Sequence, residues 1–369
     1  MDLFLWSFLA TTFVLWLAGW LVFLRFRTVP SPGDAPTPEL RISVVIPARN
    51  EEDNLARLLP SLQASLYSPH EILVVDDHST DRTAEVARGH KAIVLPGANL
   101  PEGWYGKPWA CQQGSEAATG DWLLFLDADL VAEPEGLGHL AALAAAEPDA
   151  VHSVCPYHRI ERPYEELSAF FNAIMVLGTN AFTAKGRNVR ETGLFGQAML
   201  LSKAGYAAVG GHRRVRAQVL ENFHLARHFR EAGIACRCYL GKGTLSMRMF
   251  PGGLGELVAG WSKGFVSGAG NTPRAALAGV SAWLSALIMA TIALSFLPFA
   301  DFWQRLLVGK LYLLGAVQCL HVFRHVGRYS WLNAALFPVA LAFYQIVFFR
   351  ALRRRRAGGT VAWKGRDVA

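Results

Sequence analysis

The sequence predicts an α/β domain built on a mostly parallel sheet, attached to a membrane by one N-terminal and two to three C-terminal transmembrane helices. Three observations predict it. Between Arg41 and Pro134, short apolar runs alternate with helical patterns and end in polar loops, the signature of strand–helix–strand units with right-handed crossovers. Three stretches carry no charge at all: Leu3 to Leu24 (22 residues), Ala275 to Ala300 (26 residues) and Tyr329 to Phe349 (21 residues). Each can cross a hydrocarbon core, which takes about 20 residues at about 1.5 Å rise. Finally, the two kinds of sequence are segregated, so that the region between the first and second apolar stretches has ordinary soluble composition within a chain that is 52% hydrophobic.

In chain order, residues 1–27 read as a membrane anchor rather than a cleaved signal peptide. No basic residue precedes the apolar run and no small-x-small site follows it, whereas Arg25 and Arg27 come directly after. By the positive-inside rule that end stays in the cytoplasm, which places the polar region there too. Residues 28–40, with four prolines and one glycine, read as a linker. The α/β domain occupies 41–250. Ile42 to Ile46 is a buried strand ending at Pro47. The helix after it places Leu55, Leu58, Leu59 and Leu62 on one face. Ile72 to Val75 is a second strand, ending at Asp76 and Asp77; "AIVLP" is a third. A helix through "PWACQQGSEAAT" leads to the fourth, Leu123 to Leu126, which ends at Asp127. Residues 251–274 read as an amphipathic interfacial helix with Leu254, Leu257, Val258, Trp261 and Phe265 on one face. Residues 275–350 hold the C-terminal membrane helices, and 351–369 form a basic tail. Leu306 to Phe323, with Lys310 and Gln318, is either a further crossing or re-entrant, and the side of the tail depends on which.

The net charge is +7, with a pI of about 9.3. Much of that excess flanks apolar stretches: Arg25 and Arg27, Arg324 and Arg328, and Arg353 to Arg356. This placement suits anionic lipid headgroups, not nucleic acid. Five scattered cysteines (Cys111, Cys155, Cys236, Cys238 and Cys319) offer no zinc site and read as reduced thiols.

The chemistry is expected at the carboxyl ends of the strands, where open α/β sheets bind ligands. Asp127 and Asp129 follow a buried strand directly. Two carboxylates that close repel unless a cation joins them, and Mg²⁺ or Mn²⁺ takes carboxylate oxygens and commonly bridges to substrate phosphates. Asp76 or Asp77 can accept from a base N–H or a ribose hydroxyl, or else one of them caps the helix after Ser79. Lys107 can pair with phosphate oxygens as a point charge. There is no GxxxxGK[ST] run and no GxGxxG, which argues against P-loop and dinucleotide-cofactor chemistry.

Taken in order, "VVIPARNEE", "ILVVDDHSTDRT", "GKPWACQQG" and "FLDADL" resemble the signatures of family 2 glycosyltransferases of the GT-A fold, and "GLFGQAMLLSKAGYAAVGGH" with "VLENFHLARHFREAG" extends the likeness to about Gly233. "MRMFPGGLGELVAGWSKG", ahead of apolar spans, resembles the membrane-bound branch that glycosylates carotenoid acids and hopanoid-type lipids. The resemblance implies inverting transfer from a nucleotide-diphosphate sugar, a UDP-sugar favoured, to a lipid acceptor, with Mg²⁺ or Mn²⁺. It matches Pro47, Arg49, Glu51 and Asp77 to nucleotide contacts and Asp127 to the diphosphate side. Asp129 matches the metal ligand beside Asp127, and Lys107 and Arg248 match donor-side basic positions.

One departure bears on mechanism. The family usually has Glu-Asp before the helix that begins here with Glu221-Asn222, and a carboxylate there acts as general base. Asparagine cannot take a proton at neutral pH. Either Glu221 serves, or the acceptor needs no base, as a carboxylate would not. The lipid could be presented by the 251–274 helix or by the stripe Leu167, Phe170, Phe171, Ile174 and Leu177, whose other reading is packing against the sheet. His212 reads as a loop residue rather than a catalyst. A polyisoprenyl-phosphate or hopanoid glycosyltransferase stays open as an alternative, as does a catalytically weak, membrane-anchored nucleotide-sugar-binding protein. Nucleotidyltransferases are disfavoured because "IPARNEEDN" lacks glycine, and polysaccharide synthases because Gln-x-x-Arg-Trp is absent.

Overall fold

The computed structural model describes residues 2–33, 36–186, 193–218, 220–356, 361–363 and 366–368. The chain forms two compact units. One comprises Arg27–His158 with Thr192–Arg248, the other Met1–Phe26 with Arg159–Glu191 and Met249–Ala369.

The first unit contains ten strands: β1 (Ile42–Ala48), β2 (Glu71–Asp76), β3 (Ile93–Pro96), β4 (Trp122–Leu126), β5 (Leu130–Ala132), β6 (Ala150–Cys155), β7 (Tyr157–His158), β8 (Ala198–Ser202), β9 (Ala235–Leu240) and β10 (Leu245–Met247). Seven make one sheet in the order β3-β2-β1-β4-β8-β6-β9. The four strands legible in the sequence pair in parallel. β8 enters antiparallel between β4 and β6, and β9 returns parallel to β6. The sheet is therefore mostly parallel, as expected, with one reversed strand in its interior. β5, β10 and β7 form a small second sheet beginning one residue after Asp129. The start of the expected linker is also ordered on β9, where Leu240 N–H donates to Arg27 O at 2.7 Å and Val29 N–H donates to Leu240 O at 3.3 Å.

Burial explains why these runs are strands. Val44, Val45 and Ile46 of β1 and every residue of β4 are buried, as strands covered on both faces must be. Helix Glu52–Gln63 buries Leu55, Leu58, Leu59 and Leu62, the face read from its periodicity. Helix Gly106–Ala117 lies closer to the sheet. A Cβ on Gly114 would come within 2.4 Å of Val45 Cγ1 and 3.1 Å of Val75 Cγ2, so only glycine admits this approach. Lys107 and Cys111 precede Gly114 by seven and three residues, on the same helical face. The close approach at Gly114 therefore presses that face toward the ends of the strands.

In the second unit, three helices among the described residues are long and apolar enough to cross a membrane: Leu3–Phe23, Arg274–Phe299 and Phe302–Val326. Leu306 to Phe323 thus lies inside one unbroken helix rather than a re-entrant loop. Tyr329 to Phe349 does not form a continuous span. It breaks into Trp331–Ala335 and Phe337–Arg356. Pro338 is the cause, since it fits only the first turn of a helix. Among the described residues, two C-terminal helices are therefore long and apolar enough to cross a membrane.

Small residues let these helices approach. A Cβ on Gly19 would lie 2.9 Å from the Trp283 ring, and one on Gly279 would lie 2.9 Å from Val22. Trp16 Nε1 donates to Leu314 O at 3.2 Å, and Gln318 Nε2 donates to Trp16 O at 3.1 Å. The aromatic stripe at Phe170 and Phe171 packs in this unit rather than on the sheet. Phe170 meets Phe323 edge-on at 5.2 Å between ring centroids, and Phe171 stacks on Trp261 at 4.8 Å. In helix Leu254–Asn271, Leu257 and Trp261 are buried while Leu254 is half-exposed. The expected interfacial face is thus partly spent on internal packing, and the side chain of Phe265 lies outside the described residues. All five cysteines are free.

The packing at Gly114 yields a stability test. Gly114→Val should destabilise the protein by about 1–3 kcal/mol, the usual cost of overpacking a core. Gly89→Ala, where a Cβ meets nothing within 4 Å, should leave the thermal midpoint in detergent nearly unchanged. Equal midpoints for the two variants would contradict the steric argument.

Candidate active site

Three loops meet at the carboxyl ends of β1, β2 and β4, and hydrogen bonds knit the first two together. Asn50, held at φ +54°, donates its N–H to Ser79 Oγ at 2.9 Å and accepts from Thr80 N–H at 2.8 Å. Glu51 N–H donates to Thr83 Oγ1 at 2.8 Å. Asp76 spends Oδ1 on Ser79 N–H at 3.0 Å, so it is the carboxylate that caps the turn. Asp77 is buried, with Arg49 Nη1 3.0 Å from its carbonyl oxygen and 3.8 Å from Oδ2. Of the two aspartates, Asp77 is thus the one placed beside Arg49.

β4 carries Asp127 to the rim, where its N–H donates to Gln197 O at 2.9 Å. Lys107 reaches across to it, with Nζ 2.6 Å from Asp127 Oδ1, 3.3 Å from Gly196 O and 3.7 Å from Glu221 Oε1. The lysine side chain is three-quarters buried. Burial alone would discharge it, but Asp127 and Glu221 outweigh that penalty and raise its pKa above the ordinary lysine value. Burial raises the Glu221 carboxyl, and Lys107 opposes the rise.

Asp129 lacks such a partner. Its Oδ1 is buried with no hydrogen bond. Burial, then the nearby charges of Asp127 and Glu51, push its carboxyl up to about 7. A buried acceptor oxygen without a donor, among like charges, fits a cation site. No group of three His, Cys, Asp or Glu among the described residues gathers tightly enough to hold an ion alone. That suits a hard cation whose remaining ligands are phosphate oxygens and water. Arg248 follows the last pair of the antiparallel β5–β10 ladder, Leu130–Met247, by one residue, as Asp129 precedes that pair by one on the other strand.

Glu221 and Asn222 open helix Glu221–Glu231. The Asn222 amide is committed, because Nδ2 donates to Leu194 O. The cleft between these groups is lined by Pro47, Lys107, Asp127, Gly196, Glu221 and Asn222, and also by two residues the sequence reading set aside, Cys111 and His212. Burial, then Lys107, pushes the His212 imidazole down to about 3, so it is neutral. Its Nδ1 lies 2.7 Å from Tyr206 Oη, and that oxygen accepts from His212 N–H at 2.9 Å. The Tyr206 hydroxyl also lies 3.4 Å from Gln112 Oε1, to which it can donate. The signal for Cys111 was its place four residues after Lys107 on one face. His212 gave no such signal.

Residues 43–199 match the family described as Glycosyl transferase family 2. The 4,4'-diaponeurosporenoate glycosyltransferase of Staphylococcus haemolyticus is 33% identical over 332 residues, which is 89% of this chain and 88% of that protein. The enzyme of the same name from Staphylococcus aureus strain MRSA252 is 32% identical over 336 residues, with the same coverage. Among solved structures, a mannosyltransferase from Pyrobaculum calidifontis, in complex with GDP-Man and Mn²⁺, superposes with a TM-score of 0.51 at 16% identity. It covers 91% of this chain and 94% of that one, and supports the fold. With the ordered motifs on the strand ends where a GT-A sheet carries them, the chain belongs to glycosyltransferase family 2 and resembles its membrane-bound carotenoid-acid branch.

Proposed function

We propose that this glycosyltransferase moves a hexose from a nucleotide-diphosphate sugar, a UDP-sugar favoured, onto the carboxylate of a membrane lipid of the carotenoid-acid kind, forming a glycosyl ester. The observation that carries the acceptor is at the usual base position. Asn222 holds an amide already donated to Leu194 O, and Glu221 lies beside the Lys107 ammonium. A hydroxyl acceptor must lose a proton as it attacks, and a positioned base is worth roughly 10²–10⁴-fold. A carboxylic acid, with a pKa of about 4–5, is ionised already. The names of the two staphylococcal relatives support the same acceptor class.

In this reading Pro47, Arg49, Glu51 and Asp77 hold the nucleotide, while Lys107 and Arg248 face the diphosphate. Asp129 and Asp127 would hold Mg²⁺ or Mn²⁺, which neutralises charge on the departing diphosphate. The acceptor carboxylate oxygen attacks the anomeric carbon, the carbon–oxygen bond to the diphosphate breaks on the opposite face, and the electron pair leaves with the nucleoside diphosphate. No proton moves. Lys107 and Arg248 supply positive charge where negative charge grows.

The membrane arrangement follows from charge. With Arg25 and Arg27 in the cytoplasm, Arg274–Phe299 leads out and Phe302–Val326 leads back, which returns Arg324, Arg328 and the arginine-rich helix end to the cytoplasmic side. There they suit anionic headgroups.

Four outcomes test this. Detergent-purified protein with divalent metal, a UDP-sugar and a carotenoid acid should give a product that mild alkali cleaves. Asp129→Ala should lower that yield by about 10² or more, the scale of a lost electrostatic stabiliser. An alkali-stable product made preferentially from lipid alcohols would refute the carboxylate acceptor. Asn222→Asp should set a carboxylate against the Leu194 carbonyl, lower stability by about 1–3 kcal/mol and reduce ester formation. A wild-type thermal midpoint would show that the Leu194 bond is not what holds this residue. A reporter cysteine at the exposed Phe299 should be labelled from outside the cell and one after Arg354 only after permeabilisation. The reverse pattern would overturn the orientation.

A further inference from the structure

Lys107 offers its ammonium to three groups of the protein itself: Asp127 Oδ1 at 2.6 Å, Gly196 O at 3.3 Å and Glu221 Oε1 at 3.7 Å. Asp127 and Gly196 O lie within hydrogen-bond reach of two of its three protons, and Glu221 adds a second anionic partner. The helix of Lys107 lies close to the sheet, where Gly114 meets Val45 and Val75 with no room for a side chain. Asp127 therefore carries a counter-ion from the chain, whereas Asp129, two residues on, has a buried oxygen with no donor. The two aspartates are unequal before any ligand arrives.

From this we infer that Lys107 bars divalent cations from the carboxylate pair until a nucleoside diphosphate arrives, so that cation and diphosphate bind only as a pair; the inference rests on the donor-site reading above. A lone divalent ion approaching Asp127 meets the ammonium already seated there and must share the carboxylate with a like charge. A diphosphate changes the balance, since its oxygens give the ammonium a second anionic partner and let it release Asp127. The flexible four-carbon stem of lysine permits that short transfer. Linkage makes the effect reciprocal: whatever factor the diphosphate gains from the cation, the cation gains from the diphosphate. The consequence for the enzyme is that free metal does not accumulate in an empty site, and the donor enters as its metal complex.

The test is Mn²⁺ binding by the full-length protein in detergent, read from the electron paramagnetic resonance signal of free Mn²⁺. It is run with and without UDP and corrected for the Mn²⁺–UDP complex by a protein-free titration. Wild type should bind Mn²⁺ weakly alone and more tightly with UDP. Lys107→Gln, which keeps a donor for the Gly196 carbonyl, should bind Mn²⁺ alone about tenfold more tightly. It should also lose most of the gain from UDP, a change within the roughly 5–150-fold range of site couplings. Lys107→Met should behave alike, and a folding defect confined to one of the two leaves the other to decide. Lys107→Arg, with the charge retained, should stay with wild type. UDP-dependent Mn²⁺ binding in wild type, with lone-ion affinity in both uncharged variants unchanged or weaker, overturns the role of Lys107 and leaves the donor site intact. Failure of wild type with UDP to hold Mn²⁺ above the level of Asp129→Asn removes the donor-site reading itself, and this inference with it.

Discussion

The crowding of acidic groups at one sheet edge is the constraint on which the rest of this unit depends. Asp127, Asp129 and Glu221 converge with Glu51 close by, and several of them are largely withdrawn from water. Like charges in a poorly solvated place push one another toward the neutral form. The chain answers with two cations of its own, Arg49 beside Asp77 and Lys107 between Asp127 and Glu221. Lys107 can serve only because its helix lies close to β1 and β2, and that closeness depends on the missing side chain at Gly114. A glycine in the helix thus positions a charge seven residues earlier.

The division between what could and could not be read from the sequence has a physical cause. β1, β2, β3 and β4 are parallel and adjacent, and their apolar runs end in acidic or polar loops. Their existence, their parallel direction and their polar carboxyl ends were therefore visible. β8 was not, because "AMLLS" is as apolar as its neighbours and nothing in it shows that it runs the other way. β5, β7 and β10 are two or three residues long, too short for any period. Lys107 was seen as a basic residue near phosphate; that it bonds to Asp127 and Glu221 is a long-range fact, joining residues 107, 127 and 221. His212 owes its place to Tyr206 and burial rather than to any pattern.

The apolar unit shows the same limit differently. Hydropathy located the membrane segments but not their breaks. A charge-free run from Tyr329 to Phe349 reads as one span, yet Pro338 divides it. Lys310 and Gln318 cast doubt on Leu306 to Phe323, yet that helix is unbroken, and Gln318 donates to the backbone of Trp16. A polar side chain inside an apolar helix is costly unless it finds a partner on a neighbouring helix, and here it does. The glycines at 19 and 279 carry more structural information than the leucines around them, because they set how closely the helices approach.

What separates this site from its family's usual pattern is one atom of asparagine. An aspartate at position 222 would be an acceptor that can take a proton; the amide is a donor, and it is used on Leu194 O. The exchange removes a base and adds a bond that holds the start of the helix carrying Glu221. Glu221 stands beside it. Burial raises its carboxyl and the Lys107 ammonium 3.7 Å away opposes the rise, and in the proposed reading that carboxylate serves as the partner of Lys107 rather than as the base. In the proposed reading Asn222 supplies no base, and the acceptor that costs the site least is one that arrives already as an anion. On that proposal, the two residues that look like a damaged catalytic pair belong to a site in which the acceptor supplies its own negative charge.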